Sequence, residues 1–146
     1  MTTRGMRNNN PGNIRKGPRG MTWKGEIAGS DPSFVTFSSL AYGIRALGAI
    51  LRNYQETHGL HTVEAMINRW APPNENQTGT YVANVCRALG VSPSEIFPLD
   101  HEQNMVRLVA AICHQENGGD APSIEDVAAG VSLLFPHSSA DITTTH

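Results

Sequence analysis

The sequence has the size and composition of one ordinary globular domain. It contains 146 residues, of which 39% are hydrophobic, and its net charge is −2. A chain of this length can bury about two-thirds of its unfolded surface, and its negative charge counts against a nucleic-acid partner. No apolar run is long enough to predict a membrane span.

The first 39 residues are rich in the residue types that form turns. Gly, Pro and Asn recur through this segment, which favours turns over a helix. Two β-prone runs, 21–23 and 34–37, flank the turn-rich residues 25–32. This pattern predicts a small, irregular β-hairpin near the N-terminus.

From residue 42 onward, apolar residues recur at helical spacing. Helices are predicted over residues 42–58, 62–71, 78–89, 100–116 and from 123 to just before Pro136. A hairpin on a bundle of short helices is an α+β fold that is mainly α. We expect a single domain over residues 1–136 and a flexible polar tail over residues 137–146.

Basic residues are concentrated at the start of the chain. Six of them precede the first acidic residue, Glu26. They are Arg4, Arg7, Arg15, Lys16, Arg19 and Lys24. The segment is either a solvated basic loop or a surface that attracts an anionic polymer.

The two cysteines, Cys86 and Cys113, both fall on the apolar stripes of predicted helices. That placement is typical of small buried side chains. No Cys and His pair has the spacing of a zinc site. The sequence therefore predicts neither a metal ion nor another cofactor.

One carboxylate continues the apolar face of a predicted helix. Glu116 follows three apolar residues at intervals of eleven, seven and four, and this spacing places all four side chains on one face. The three are Met105, Val109 and Ile112. Apolar neighbours and the negative end of the helix dipole favour a protonated carboxyl group, which can act as a general acid. The alternative is a frayed helix end with Glu116 turned to solvent.

Two other carboxylates lie in irregular segments, where functional groups concentrate. Glu26 belongs to the predicted hairpin, and Glu75 follows Pro72 and Pro73. If a second carboxylate assists Glu116, either Glu26 or Glu75 is expected to supply it. Glu56 lies opposite the apolar stripe of its helix and is interpreted as solvated.

Three motifs carry a resemblance to a known group of proteins. The first is RNNNPGNIR at residues 7–15 with WKG at 23–25, the second is WAPPNENQT at 70–78 with YV at 81–82, and the third is HQENGG at 114–119. Together they resemble a group of phage virion proteins and prophage lysozyme-like proteins over about residues 4–130. The resemblance implies a lysozyme-like fold and an activity on peptidoglycan.

A broader similarity concerns the order of these motifs. In flagellar glucosaminidases and soluble lytic transglycosylases, a helix ends in a catalytic Glu and a hairpin region follows it. The NPGNI and WKG stretches here resemble the glucosaminidase hairpin region, yet they precede the helix of Glu116. This order implies a circular permutation of the lysozyme fold, which is tolerated where chain termini lie close together.

The motifs and the carboxylate together predict an enzyme that cuts the glycosidic bonds of murein strands, either a lysozyme or a lytic transglycosylase. Glu116 is the expected general acid. Asn9, Asn10, Trp23 and Tyr81 are the expected substrate-binding residues, with the two aromatic side chains offering flat faces to sugars. Peptidoglycan is the expected partner. Other virion proteins are the second class of partner that the resemblance suggests.

Two rival functions use the same features. A non-catalytic virion structural or wall-binding module would keep the fold, with Glu116 in a structural role. A nucleic-acid-binding protein would use the basic N-terminal segment, but no recognition motif accompanies it. Because the first residues lack the apolar core of a secretory signal, we expect a phage virion or host cytoplasm as the location, with injection or lysis bringing the protein to the wall.

Overall fold

The computed structural model describes residues 2–17, 22–74 and 76–137. Within them, six α-helices accompany a two-stranded antiparallel sheet, so the predicted α+β, mainly α fold class is confirmed. In chain order the elements are α1 (Arg4–Arg7), β1 (Glu26–Ile27), β2 (Thr36–Phe37), α2 (Leu40–Glu56), α3 (Val63–Trp70), α4 (Thr78–Leu89), α5 (Glu102–Asn117) and α6 (Ile124–Ser132), with a 3-10 turn at Gly118–Asp120 between α5 and α6.

The hairpin is present but shorter and later than predicted. Glu26 pairs with Phe37 and Ile27 with Thr36. The first strand was expected at residues 21–23, whereas residues 24–25 form a turn in which Gly25 has a φ of +81°. A side chain on Gly25 would also collide with the Tyr42 ring, so the chain must turn here before pairing can begin.

Side chains cap the starts of α3 and α6. Thr62 accepts from the Ala65 amide at the start of α3, and Ser123 accepts from the Asp126 amide at the start of α6. The helix α5 was predicted from residue 100 but begins at Glu102, without a side-chain cap. Thr78 does not cap α4 either; its hydroxyl donates to the Ala71 carbonyl.

The core lies between the helices, with α2 packed on α5 and α6, and α4 packed on α3 and α5. The predicted stripe of α5 is fully buried at Met105, Val109 and Ile112. Cys86 and Cys113 are free and buried, which confirms the sequence prediction. Burial raises the pKa of Cys113 to about 12, so this thiol stays protonated at neutral pH.

The N-terminal segment is fastened to the end of α5. The Thr3 amide donates to Asp120 Oδ2 at 2.7 Å, and the Thr3 hydroxyl donates to Asn117 Oδ1 at 2.7 Å. The Asn117 amide group in turn donates to the Pro11 carbonyl at 2.7 Å. The start of the chain therefore lies beside the C-terminal end of the helix that carries Glu116.

At the other end, His137 Nε2 lies 3.2 Å from Glu102 Oε1. Residues 138–146, which hold most of the predicted flexible tail, lie outside the described residues. None of the helices in the described part of the chain is long and apolar enough to cross a membrane. The same residues contain no group of three His, Cys, Asp or Glu side chains placed to hold a metal ion.

Candidate active site

Glu116 lines a groove with a volume of about 510 Å³. It is the penultimate residue of α5 and is half-buried, so the alternative of a frayed end with a fully solvated glutamate does not describe this structure. Three parts of the chain join α5 around the groove: the N-terminal segment with the hairpin, the helix α2, and the end of α3 with the loop after it. The other lining residues are Gly12, Asn13, Ile14, Arg15, Phe34, Ile50, Tyr54, Trp70, Ala71, Pro72 and Asn76.

Two side chains hold the Glu116 carboxylate in place. Asn13 Nδ2 donates to Oε1 at 3.1 Å, and the Tyr81 hydroxyl donates to Oε2 at 2.8 Å. Trp70 Nε1 donates to the Tyr81 hydroxyl at 3.0 Å, which completes a chain of hydrogen bonds from Trp70 to Glu116. The apolar helix face expected from the sequence is present. The carboxylate of Glu116 itself, however, has two polar neighbours that donate hydrogen bonds to it.

Tyr81 remains a hydrogen-bond donor at neutral pH. Its side chain is only 7% exposed. Burial, reinforced by the nearby negative charge of Glu116, raises its pKa above the ordinary value. The phenol consequently keeps its proton, and Glu116 keeps a fixed donor on one oxygen.

Asn13 adopts an unusual backbone conformation to reach Glu116. Its φ is +52°, in the left-handed region that asparagine tolerates better than most residues. Its Oδ1 atom is buried and meets no hydrogen-bond donor within the described part of the chain. A buried acceptor without a partner is uncommon and costs stability. Asn13 therefore combines an unfavourable backbone angle with an unsatisfied oxygen at the point where the N-terminal segment contacts α5.

Among the described residues, Arg15 is the one cation that lines the groove. Its guanidinium carbon lies 5.2 Å from the centroid of the Phe34 ring, and the two backbones are joined by an isolated β-bridge. Arg4 also lies over Phe34, at 4.4 Å, but it is paired with Asp31 through two hydrogen bonds of 2.6 and 2.7 Å. The Arg4 guanidinium holds the pKa of Asp31 well below its usual range, so this pair is ionised at neutral pH.

The predicted substrate-binding role of Asn10 is wrong. The residue is 0% exposed, and its side chain makes three hydrogen bonds inside the protein. Its Nδ2 donates to the carbonyls of Ile14 at 3.0 Å and Val35 at 2.9 Å, and its Oδ1 accepts from the Ile14 amide at 2.9 Å. Asn10 thus joins the N-terminal segment to the hairpin and leaves no group for a ligand.

Asn9 and Trp23, two further predicted substrate-binding residues, do not line the groove either. Asn9 has a φ of +54°, and its Nδ2 donates to the Phe37 carbonyl at 3.0 Å. Trp23 is half-buried and packs against the hydrophobic core. Both residues support the hairpin, which in turn carries Phe34.

Tyr81 belongs to the site, but its predicted role is corrected. The buried ring presents no free face for a sugar, whereas its hydroxyl contacts Glu116 directly. Three aromatic residues line the groove, Trp70, Phe34 and Tyr54. Trp70 and Phe34 are half-buried and are therefore the aromatic residues placed to meet a ligand. Trp70 begins the second motif, WAPPNENQT, but the stacking role was predicted for Tyr81 and Trp23 instead.

The two alternative carboxylates have different outcomes. Glu26 Oε1 accepts from the amides of Thr22 at 3.0 Å and Trp23 at 3.1 Å, and Glu26 does not line the groove. It therefore fixes the turn before β1. Glu75 lies outside the described residues, while its neighbour Asn76 lines the groove.

Several groove residues were not predicted from the sequence, among them Asn13, Arg15 and Ile50. Asn13 and Arg15 lie inside the first motif, so the motif itself was the available signal, but it could not say which of its asparagines faces Glu116. Ile50 is an ordinary apolar residue of α2, and nothing in its neighbourhood along the chain distinguishes it.

Replacing Tyr81 with Phe removes one donor to Glu116 and leaves the ring in the core. We expect any activity that depends on Glu116 to fall by about 10- to 150-fold, since one hydrogen bond to a charged group contributes about 1.5–3 kcal/mol. The pH dependence of that activity should also shift, which a purely structural residue would not cause. A pH profile of Tyr81→Phe against the wild-type protein measures both effects, and an unchanged profile would contradict this positioning role.

The fold and the groove define a class: a mainly helical α+β domain in which a glutamate at a helix end lines a groove and is held by a tyrosine and an asparagine. No family model matches the chain. It is 35% identical over 134 residues to Protein P5 of Pseudoalteromonas phage PM2, an alignment that covers 90% of this chain and 82% of the relative. The chain therefore belongs to the family of that phage protein, and the predicted bacteriophage association is supported at this level.

Proposed function

We propose that this protein cuts the glycan strands of peptidoglycan, with Glu116 as the general acid. The observation that carries the proposal is a half-buried glutamate at the end of an apolar helix face, held by two donors inside a 510 Å³ groove. Glycosidic cleavage needs a positioned carboxyl group beside the leaving oxygen. An open groove with Trp70 in its lining suits an extended chain of sugars better than a small enclosed ligand.

In the proposed reaction, protonated Glu116 gives its proton to the glycosidic oxygen as the bond from that oxygen to the anomeric carbon breaks. The anomeric carbon then gains a new bond to oxygen, and the Glu116 carboxylate takes the proton that this nucleophile loses. Tyr81 and Asn13 keep the carboxylate aimed at the groove through both steps. Two nucleophiles fit this scheme: a water molecule, assisted by a second carboxylate such as Glu75, or the 6-hydroxyl group of the sugar itself.

The proposal includes a lysozyme-like fold with a permuted chain order. Its support is the attachment of the N-terminal segment to the end of α5, through the bonds of Thr3 to Asn117 and Asp120. As a result, the segment that leads into the hairpin lies next to the end of the Glu116 helix, although it precedes that helix in sequence. Under this proposal, the chain keeps the spatial order of the glucosaminidases and transglycosylases, but its N-terminus lies at a different point of the fold.

We further propose that the protein acts in a phage context, carried by the virion or released at lysis. The support is its membership of a family with a protein of phage PM2. The exposed basic residues of the N-terminal segment, Arg15 among them, suit an anionic polymer such as peptidoglycan.

A non-catalytic wall-binding module is the second candidate function. The observation that favours it is that both oxygens of Glu116 already accept hydrogen bonds within the protein, as a structural carboxylate would. Such a module would bind glycan strands in the same groove and release no fragments.

A turbidity assay separates the two functions. The wild-type protein should reduce the turbidity of purified peptidoglycan between about pH 5 and 8. Enzymes that use a carboxyl group as general acid usually operate within this range. A sedimentation assay with the same peptidoglycan measures binding independently. Binding without clearing, by protein whose circular dichroism matches a folded helical domain, would favour the wall-binding module over the enzyme.

A further inference from the structure

The groove contains a cation whose charge nothing in the described structure neutralises. Arg15 is exposed, lines the groove that also holds Glu116, and has no carboxylate within 4.0 Å among the described residues. Of the described residues, one anionic residue, Glu116, and one cationic residue, Arg15, line the groove. The groove therefore offers a charged contact for an anionic ligand at a second position besides the acid.

The contrast with Arg4 makes this feature specific. Both guanidinium groups lie over Phe34, but the charge of Arg4 is paired with Asp31 through two hydrogen bonds. Lys16 also binds Asp31, through the backbone carbonyl at 2.6 Å. Asp31 thus accepts hydrogen bonds from two neighbouring cations, whereas Arg15 lines the groove.

Contact with Phe34 also restricts the Arg15 side chain. A guanidinium group above an aromatic face gains a cation–π attraction and loses some of its rotamer freedom before any ligand arrives. The backbone bridge between Arg15 and Phe34 holds the two residues in register. A planar group held in this way can form two parallel hydrogen bonds to a carboxylate with less loss of entropy than a free lysine.

We propose that Arg15 forms a subsite for a carboxylate carried by the glycan strand, and that it makes the groove selective for acidic strands over neutral ones. The proposal deepens the function proposed above and rests on it. Peptidoglycan carries carboxylates on the substituents of every second sugar, whereas a β-1,4-linked N-acetylglucosamine oligomer carries none. Arg15 would thus distinguish cell-wall glycan from chitin-like glycan by charge, while Glu116 acts on the bond that both share.

Binding measured without cleavage tests this subsite. In a Glu116→Gln background, intrinsic tryptophan fluorescence reports titration with an acidic peptidoglycan tetrasaccharide and with neutral chitotetraose. Of the two tryptophans, Trp70 lines the groove and Trp23 does not, so we expect the ligand-dependent change to come from Trp70. We expect Arg15→Gln to weaken binding of the acidic ligand about tenfold, equivalent to 1.4 kcal/mol, and to leave the neutral ligand unchanged. The loss should diminish at 1 M salt, where the screening length is about 3 Å.

The matched control is Arg87→Gln, which removes the same charge from an exposed position on α4 outside the groove lining. It should bind both ligands like the parent protein. The subsite is overturned if Arg15→Gln matches Arg87→Gln, or if it weakens both ligands equally. Absence of binding of either glycan to the parent protein would instead overturn the proposed function, and the subsite with it.

Discussion

Replacing Glu116 with Gln should reduce the rate of peptidoglycan cleavage by about two to four orders of magnitude, the usual contribution of a general acid. Gln keeps the shape of the side chain but cannot supply the proton. Its carbonyl can still accept from Tyr81, so one hydrogen bond to a charged group is lost, worth about 1.5–3 kcal/mol. The melting temperature should therefore fall by about 3–12 °C with the protein still folded at assay temperature, and turbidity clearing beside thermal denaturation measures the two effects separately.

Three other glutamates serve as controls for this variant. Glu56→Gln changes an exposed residue and should have no effect. Glu26→Gln should disturb the turn before β1 and spare most of the activity, since Glu26 does not line the groove. If Glu26→Gln or Glu75→Gln abolished activity while Glu116→Gln remained near wild type, the assignment of the acid to Glu116 would be wrong.

The second large effect is on stability. Asn10→Ala should lower the free energy of unfolding by about 3 kcal/mol, because a buried backbone group without a partner costs about 1–3 kcal/mol. The variant leaves the Ile14 amide and the Val35 carbonyl without the only hydrogen-bond partner that each has in the described structure. The Ile14 carbonyl keeps its bond from the Val35 amide. Urea unfolding followed by circular dichroism measures the loss.

Asn68→Ala is the matched control for Asn10→Ala. Asn68 is exposed on α3, and its amide bonds only to the Glu64 carbonyl of the same helix. This variant should change the free energy of unfolding by about 0.5 kcal/mol or less. An equally small change in Asn10→Ala would show that the hairpin does not depend on Asn10, contrary to the role argued above.

Periodicity along the chain was sufficient to predict α2 to α6 and the position of Glu116 on α5, but the short helix α1 lies in a segment that was predicted to form turns. The apolar neighbours of Glu116 three to four residues apart share one helix face, and that relation is local. The donors to Glu116 were not predictable in this way, because Tyr81 and Asn13 lie 35 and 103 residues away along the chain. Only the packing of α4 and of the N-terminal segment against α5 brings them together.

The asparagines of the first motif show a second limit. Asn9, Asn10 and Asn13 look alike in sequence, since each belongs to a turn-rich run. The structure gives them three different tasks: a contact with β2, a buried link to the hairpin, and a contact with Glu116. Which way each side chain points depends on the backbone angles of neighbouring residues, and composition does not specify those angles.

The chemical nature of the fragments released from purified peptidoglycan tests the central claim most directly. Mass spectrometry of the soluble products should show glycan chains cut at glycosidic bonds by the wild-type protein, with new ends that are either reducing sugars or anhydro sugars. The Glu116→Gln variant should release about a hundredth of this material or less. Intact glycan strands, with either no fragments or only cleaved peptide bonds, would contradict the account.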